Sequence, residues 1–219
     1  KRRLHDEAVC RDIEAEGIVL LENGQVSDGE GGTRPSLPLE KESSVTVFGQ
    51  GASDFLYAPT AYDNTAVSSP VTFYRALEES GFAVNPDMRA FYDSGAGSRY
   101  RRSMPHAVTS PSADSLVVGE VPISEYSSAP AQSFEVYGDA AIVVIGRAAA
   151  DGYDLPRAKE DGEKYYLEPT DNELNMLAYV RSRFANVVLV INSVTPLMIG
   201  DITKNELYAP DSVLWVGTP

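Results

Sequence analysis

The sequence predicts an α/β fold: a three-layer α/β/α sandwich built on a mostly parallel sheet. Three observations carry that expectation. Ala140–Gly146 is an unbroken apolar run without polar alternation, the pattern of a parallel strand covered on both faces. Val187–Asn192 and Ser212–Val216 repeat the pattern. Between the first two stands Asp171–Phe184, whose apolar residues recur at helical spacing, so strands alternate with helices as crossover connections require.

Each element follows from local chemistry. From Leu4 to Gly17, the apolar residues Leu4, Ala8, Val9 and Ile13 recur at helical spacing, and Gly17 stands where a helix C-cap belongs. Ile18–Leu21 is a short apolar run, expected as a strand or a buried extended segment. Gln25–Ser36, rich in glycine, serine and acids, reads as a loop. Leu37-Pro38-Leu39 is expected to be extended, because a residue before proline avoids the helical region. Val45–Gly49 is a β-branched strand closed by glycine. Gln50–Val67 reads as a long polar and aromatic loop. Ser69 and Pro70 open a helix that turns Phe73 and Leu77 to the core and ends at Gly81. Phe82–Asn85 is the next strand, and Pro86–Tyr92 begins another helix.

Residues 94–131, rich in serine, proline and glycine, are expected as an irregular surface excursion, with Arg99-Tyr100-Arg101-Arg102 as a solvated basic patch. Thr170 and Glu173 form a capping box at the head of the helix Asp171–Phe184. Leu174, Leu177, Ala178 and Arg181 define one stripe of that helix, flanked by Met176 and Val180.

Composition narrows the function classes. A chain of 219 residues is enough for one large domain, and residues 1–219 are read as a single α/β domain. It opens inside a helical pattern and stops just after an apolar strand, so it is expected to be part of a larger multidomain protein, incomplete at its C-terminus. A formal net charge of −14 repels phosphate backbones and anionic membrane surfaces, which argues against nucleic-acid and membrane partners. The single cysteine, Cys10, permits no internal disulfide and favours a reducing, cytoplasmic compartment over secretion. Cys10 is read as a core residue of the first helix. No stretch of about 18 apolar residues is available to span a membrane. His5 and His106 have no metal-ligand spacing and no Ser/His/Asp set is visible, so no metal or other cofactor is implied. Oligomeric state stays open, a homo-oligomer included.

In open α/β sheets, ligands bind beyond the carboxyl ends of the strands. Three loops qualify. The loop Gly49-Gln50-Gly51-Ala52-Ser53-Asp54 resembles a truncated dinucleotide fingerprint, but lacks the third glycine and a prompt helix. A tight turn is the plainer reading, and a sugar-lining loop with Tyr57, Tyr62, Asp63 and Asn64 is an intermediate one. The loop from Arg147 through Asp151, Tyr153 and Asp154 to Tyr165-Tyr166-Leu167 carries two carboxylates, an arginine and several tyrosines. It could hold a proton donor and a hydroxyl-binding group, although composition alone favours a solvated acidic loop. The loop Asn192–Pro196 offers small polar groups and reads as structural.

The order of these motifs is similar to the α/β sandwich domain of glycoside hydrolase family 3, the bacterial and other β-glucosidases and related exo-glycosidases. The resemblance runs through Glu14-Ala15-Glu16-Gly17-Ile18-Val19-Leu20-Leu21-Glu22-Asn23, Leu37-Pro38-Leu39 and Val45–Gly49. It continues through Asp139–Arg147, Tyr165-Tyr166-Leu167, Val187–Asn192 and Trp215-Val216-Gly217, leaving out roughly residues 94–131. The detailed pattern most resembles the subgroup in which this domain precedes the TIM barrel.

The resemblance implies removal of terminal β-linked sugars by a retaining mechanism, with the nucleophilic aspartate supplied by a TIM-barrel domain of the same protein. It puts Asp151 in the acid/base position, within Ala149-Ala150-Asp151-Gly152, where the family's pattern has a glutamate. Asp154 matches the aspartate that follows, and Leu155 stands in place of the arginine next to it. Arg147, Tyr153 and Asp154 are implied to shape the sugar site. A retaining mechanism needs carboxyl groups about 5–5.5 Å apart. Aspartate shortens the reach by about one C–C bond, ~1.5 Å, and Glu160 or Glu163 could take over the role. The two departures motivate the alternative, a non-catalytic carbohydrate-binding or structural domain with a decayed loop.

Overall fold

The computed structural model describes residues 2–57, 70–102, 117–149, 155 and 164–218, with side chains from Ala8 onward. Its centre is a six-stranded sheet. β4 (Ser44–Phe48), β6 (Ala140–Arg147), β7 (Val187–Ser193) and β8 (Ser212–Trp215) run parallel, with β5 (Ala83–Val84) parallel beside β4. β1 (Val19–Asn23) closes the far edge antiparallel to β8, giving the order β1-β8-β7-β6-β4-β5.

The apolar strands are covered on both faces, as their lack of alternation requires. On one face Val143, Ile145, Leu189 and Ile191 pack against Met88, Phe91 and Tyr92 of α4 (Pro86–Asp93). Met176, Leu177 and Val180 of α5 (Asp171–Arg181) join the same cluster. On the other face Ile142, Val144, Val188 and Val190 meet Tyr74 of α3 (Phe73–Glu79), together with Ala52 and Phe55. Full burial of each such side chain stabilises by about 1.5–3 kcal/mol relative to exposure.

Polar side chains tie the layers at the strand starts. Asp139 Oδ2 accepts from Ser44 N at 2.7 Å, and Asp211 Oδ2 accepts from Val187 N at 2.8 Å and Arg181 Nη1 at 2.6 Å. Asn85 caps α4 through Asp87 N and Met88 N and also donates to Thr46 Oγ1 and Ser133 Oγ. Asn23 and Leu37 are joined in both directions, Asn23 Nδ2 to Leu37 O at 2.9 Å and Leu37 N to Asn23 Oδ1 at 3.0 Å. That pairing joins the end of the Ile18–Asn23 run to the start of the Leu37-Pro38-Leu39 motif. The Leu37–Pro38 peptide is cis.

Several expectations change. The loop Gln25–Ser36 holds a hairpin, β2 (Gln25–Ser27) with β3 (Thr33–Pro35). Its turn is built by Asp28, whose Oδ1 accepts from Glu30 N and Gly32 N at 2.9 and 2.8 Å. α1 (Arg2–Gly17) forms, but Val9, Cys10 and Ile13 are exposed, so Cys10 is not a core residue. The Ile18–Leu21 run forms the expected strand, within β1, but is exposed there, because β1 sits at the sheet edge with neither face covered in this chain. α3 is capped by Thr72, whose side chain accepts from Arg75 N, and so starts after Ser69 and Pro70. The buried side of α5 is Glu173, Met176, Leu177 and Val180.

Residues 94–131 do not stay on the surface throughout. Gly97, Glu120, Val121 and Tyr126 are buried. The basic patch divides: Arg99 is exposed and pairs with Glu125, whereas the Arg102 side chain is 6% exposed and pairs with Asp54 at 3.1 Å. Tyr62, Asp63, Asn64, His106, Asp151, Tyr153, Asp154, Glu160 and Glu163 lie outside the described residues.

Candidate active site

Because β4, β6, β7 and β8 are parallel, their carboxyl ends share one edge of the sheet. Arg147 is the last residue of β6 and is fully buried there. It meets Glu173 of α5 end-on, Nη1 to Oε1 at 2.6 Å and Nη2 to Oε2 at 2.7 Å. The remaining donors reach backbone carbonyls: Nε to Tyr166 O, Nη1 to Gly146 O and Nη2 to Glu168 O, each at 2.9 Å. All five guanidinium N–H groups are thereby engaged. Burial works against the charge, but the Glu173 carboxylate outweighs it and raises the arginine's proton affinity.

The loop that begins after β6 is held at its base from several sides. Tyr166 Oη donates to Ala148 O at 2.9 Å, joining the two ends of the segment that carries Asp151. Leu155, in the middle of that segment, packs with Leu56, Ala148, Tyr166 and Leu167 in a small apolar cluster. The leucine that replaces the expected arginine therefore serves as an apolar anchor. Leu56 is in turn fixed by the buried Asn192, which accepts from Leu56 N at 2.7 Å and donates to Leu56 O at 3.0 Å and Gly217 O at 2.7 Å. The structural reading of Asn192 holds. Near the far end of the loop Lys164 pairs with Asp171, and Glu173 also completes the capping box with Thr170.

Of the four candidate site residues, Asp151, Tyr153 and Asp154 lie outside the described residues, so the structure locates the segment's anchors. Arg147 is described, and it faces the interior with every donor used inside the chain. It holds the Tyr166 and Glu168 carbonyls in place and has no donor left for a ligand.

The loop after β4 answers to packing. Gly49 has φ +97°, and a Cβ at Gly49 or Gly51 would overlap the carbonyl of Val144 on β6. α2 (Gln50–Ser53) is a four-residue turn of helix. Tyr57 donates to Val71 O at 3.0 Å. One group here escaped sequence reasoning. Glu120 is buried, and desolvation pushes its carboxyl up to about 8, against the lowering effect of hydrogen bonds from Val121 N and Gln50 N. Nothing in the local sequence Val118-Gly119-Glu120-Val121 signals that burial. Among the described residues no group of three metal-ligating side chains assembles, and no helix is long and apolar enough to cross a membrane.

A mostly parallel six-stranded sheet with helices packed on both faces defines an α/β sandwich. The glycosyl hydrolase family 3 C-terminal domain matches residues 18–219, and the chain belongs to that family. It is 23% identical over 210 residues to a β-glucosidase A of Butyrivibrio fibrisolvens, covering 86% of this chain and 22% of the relative. Similar solved structures include β-glucosidase 3B of Thermotoga neapolitana in complex with glucose, with TM-score 0.68 and 20% identity over 100% of this chain and 28% of that one. A β-glucosidase of Paenibacillus barengoltzii gives TM-score 0.66 and 21% identity over 95% of this chain and 20% of that one. The chain thus spans about a fifth of the length of the curated relative.

Proposed function

We propose that this chain is the acid/base-bearing part of a glycoside hydrolase that removes terminal β-linked sugars by a two-step retaining mechanism. Asp151 protonates the leaving-group oxygen and then activates water, while the nucleophilic aspartate comes from a TIM-barrel domain of the same protein. Tyr153 and Asp154 line the sugar site, and Arg147 acts as a positioning residue beneath it. The observation that carries this reading is the anchoring of the Asp151 segment at the carboxyl edge by Arg147, Tyr166 and Leu155, in a chain of this family.

The test uses the full-length protein on aryl β-glycosides of graded leaving-group ability. For Asp151→Ala the rate on poor leaving groups is expected to fall by about 10²–10⁴-fold, the usual contribution of a general acid. Activated substrates should lose much less in the first step. An unchanged rate on poor leaving groups rules Asp151 out.

A second reading is a carbohydrate-binding or structural domain whose catalytic loop has decayed. Leu155 favours it, since a packing residue stands where the family's pattern has an arginine. Sugar binding by the full-length protein without turnover would support it.

A further inference from the structure

Gln50, Arg102, Glu120, Gly146 and Glu173 line a small internal space between the turn after β4 and the start of the loop after β6. Its volume is about 10 Å³, close to the room one water molecule requires. Among the described residues, two buried side-chain atoms have no hydrogen-bond partner, Gln50 Oε1 and Arg102 Nη2. Both residues line this one space.

The chemistry of the two atoms is complementary. Gln50 is locked in orientation, because its Nε2 donates to Gly97 O, so Oε1 is left as an acceptor. Arg102 is fixed through Nε to Asp54 Oδ2 at 3.1 Å, so Nη2 is left as a donor. A buried polar group without a partner destabilises the fold, and interiors meet such needs with ordered water. We propose that the cavity is an internal hydration site, in which a single water molecule accepts from Arg102 Nη2 and donates to Gln50 Oε1.

Other occupants fit less well. An anion would face the Gln50 carbonyl oxygen and the carboxyl groups of Glu120 and Glu173. A cation would face the Arg102 guanidinium. Water alone both accepts and donates, with a second O–H left for a carboxyl oxygen on the wall. The site joins the turn after β4, the Arg102 arm and the 117–121 segment to Gly146, one residue ahead of Arg147.

A high-resolution crystal structure of the full-length protein tests the proposal, with a second crystal soaked in sodium bromide. The expected result is one water-sized peak within hydrogen-bond distance of both Gln50 Oε1 and Arg102 Nη2, without anomalous signal after the soak. An empty cavity, a bromide peak, or direct contact of the two side chains would overturn it.

Discussion

Arg147 and Glu173, on β6 and α5, form a fully buried two-point ion pair at 2.6 and 2.7 Å, and the same arginine holds the carbonyls of Tyr166 and Glu168. One guanidinium therefore ties a core strand, a helix start and the returning end of the candidate catalytic loop. Glu173 serves double duty, since Oε2 also accepts from Thr170 N at 2.7 Å. Removing one partner of a buried pair leaves an uncompensated charge, which costs about 3–5 kcal/mol. Glu173→Ala is expected to lower stability by that order in urea unfolding. Thr170→Ala, which removes only the cap, should cost about 1 kcal/mol.

Tyr166 connects the two ends of the Asp151 segment. Tyr166→Phe deletes the bond to Ala148 O and keeps the ring in its apolar cluster, so the stability loss should be about 0.5–1.5 kcal/mol. In the full-length protein, kcat on poor leaving groups should fall more than kcat on activated aryl glycosides, because only the former depend on a well-placed acid. Equal losses on both would mean that Tyr166 does not position the acid.

The aspartate at 151 is one methylene shorter than the glutamate in the family's pattern. If reach limits proton transfer, Asp151→Glu should raise kcat on poor leaving groups by up to about tenfold to a hundredfold, within the range a general acid contributes. Leaving-group series on both forms would read this directly, and a fall in kcat would show that the site is built around the shorter side chain.

Glu120 gives a pH dependence of defined sign. Its buried carboxyl is pushed up to about 8, above the ordinary 4.5 it takes in the unfolded chain. The folded state therefore holds a proton that the unfolded state releases. Stability from this group is complete below about pH 4.5 and is lost as pH rises through about 8. Every tenfold difference in proton affinity between the two states corresponds to about 1.4 kcal/mol, so the decline amounts to a few kcal/mol. Urea unfolding at intervals from pH 4.5 to 8.5 should show that decline, and Glu120→Gln should flatten the slope whatever it does to absolute stability.

Gly49 is required by its backbone. At φ +97° and against the Val144 carbonyl, a methyl group fits only if β4 and β6 move apart. Gly49→Ala is expected to cost at least about 1–3 kcal/mol in thermal or urea unfolding, the usual size of a strained residue.

The parts of this protein that were legible in its sequence are those set by local chemistry. Unbroken apolar runs announced β6, β7 and β8, since strands covered on both faces carry such runs. Thr170 and Glu173 marked the start of α5 because a capping box needs residues three apart and nothing else. The motifs Glu14–Asn23 and Leu37-Pro38-Leu39 marked the family, and the structure supplies the hydrogen bonds between Asn23 and Leu37. What only the tertiary structure decided involves partners distant in the chain. Arg147 looked like a site-lining residue until Glu173, Tyr166 and Glu168 enclosed it, and Arg102 looked solvated until Asp54 and the wall of an internal cavity met it. Glu120 gave no local signal at all. Conversely Cys10 looked buried and is exposed, and Ile18–Leu21 forms its expected strand without being buried, because apolarity records what a segment favours, while burial depends on whether another layer is there to cover it.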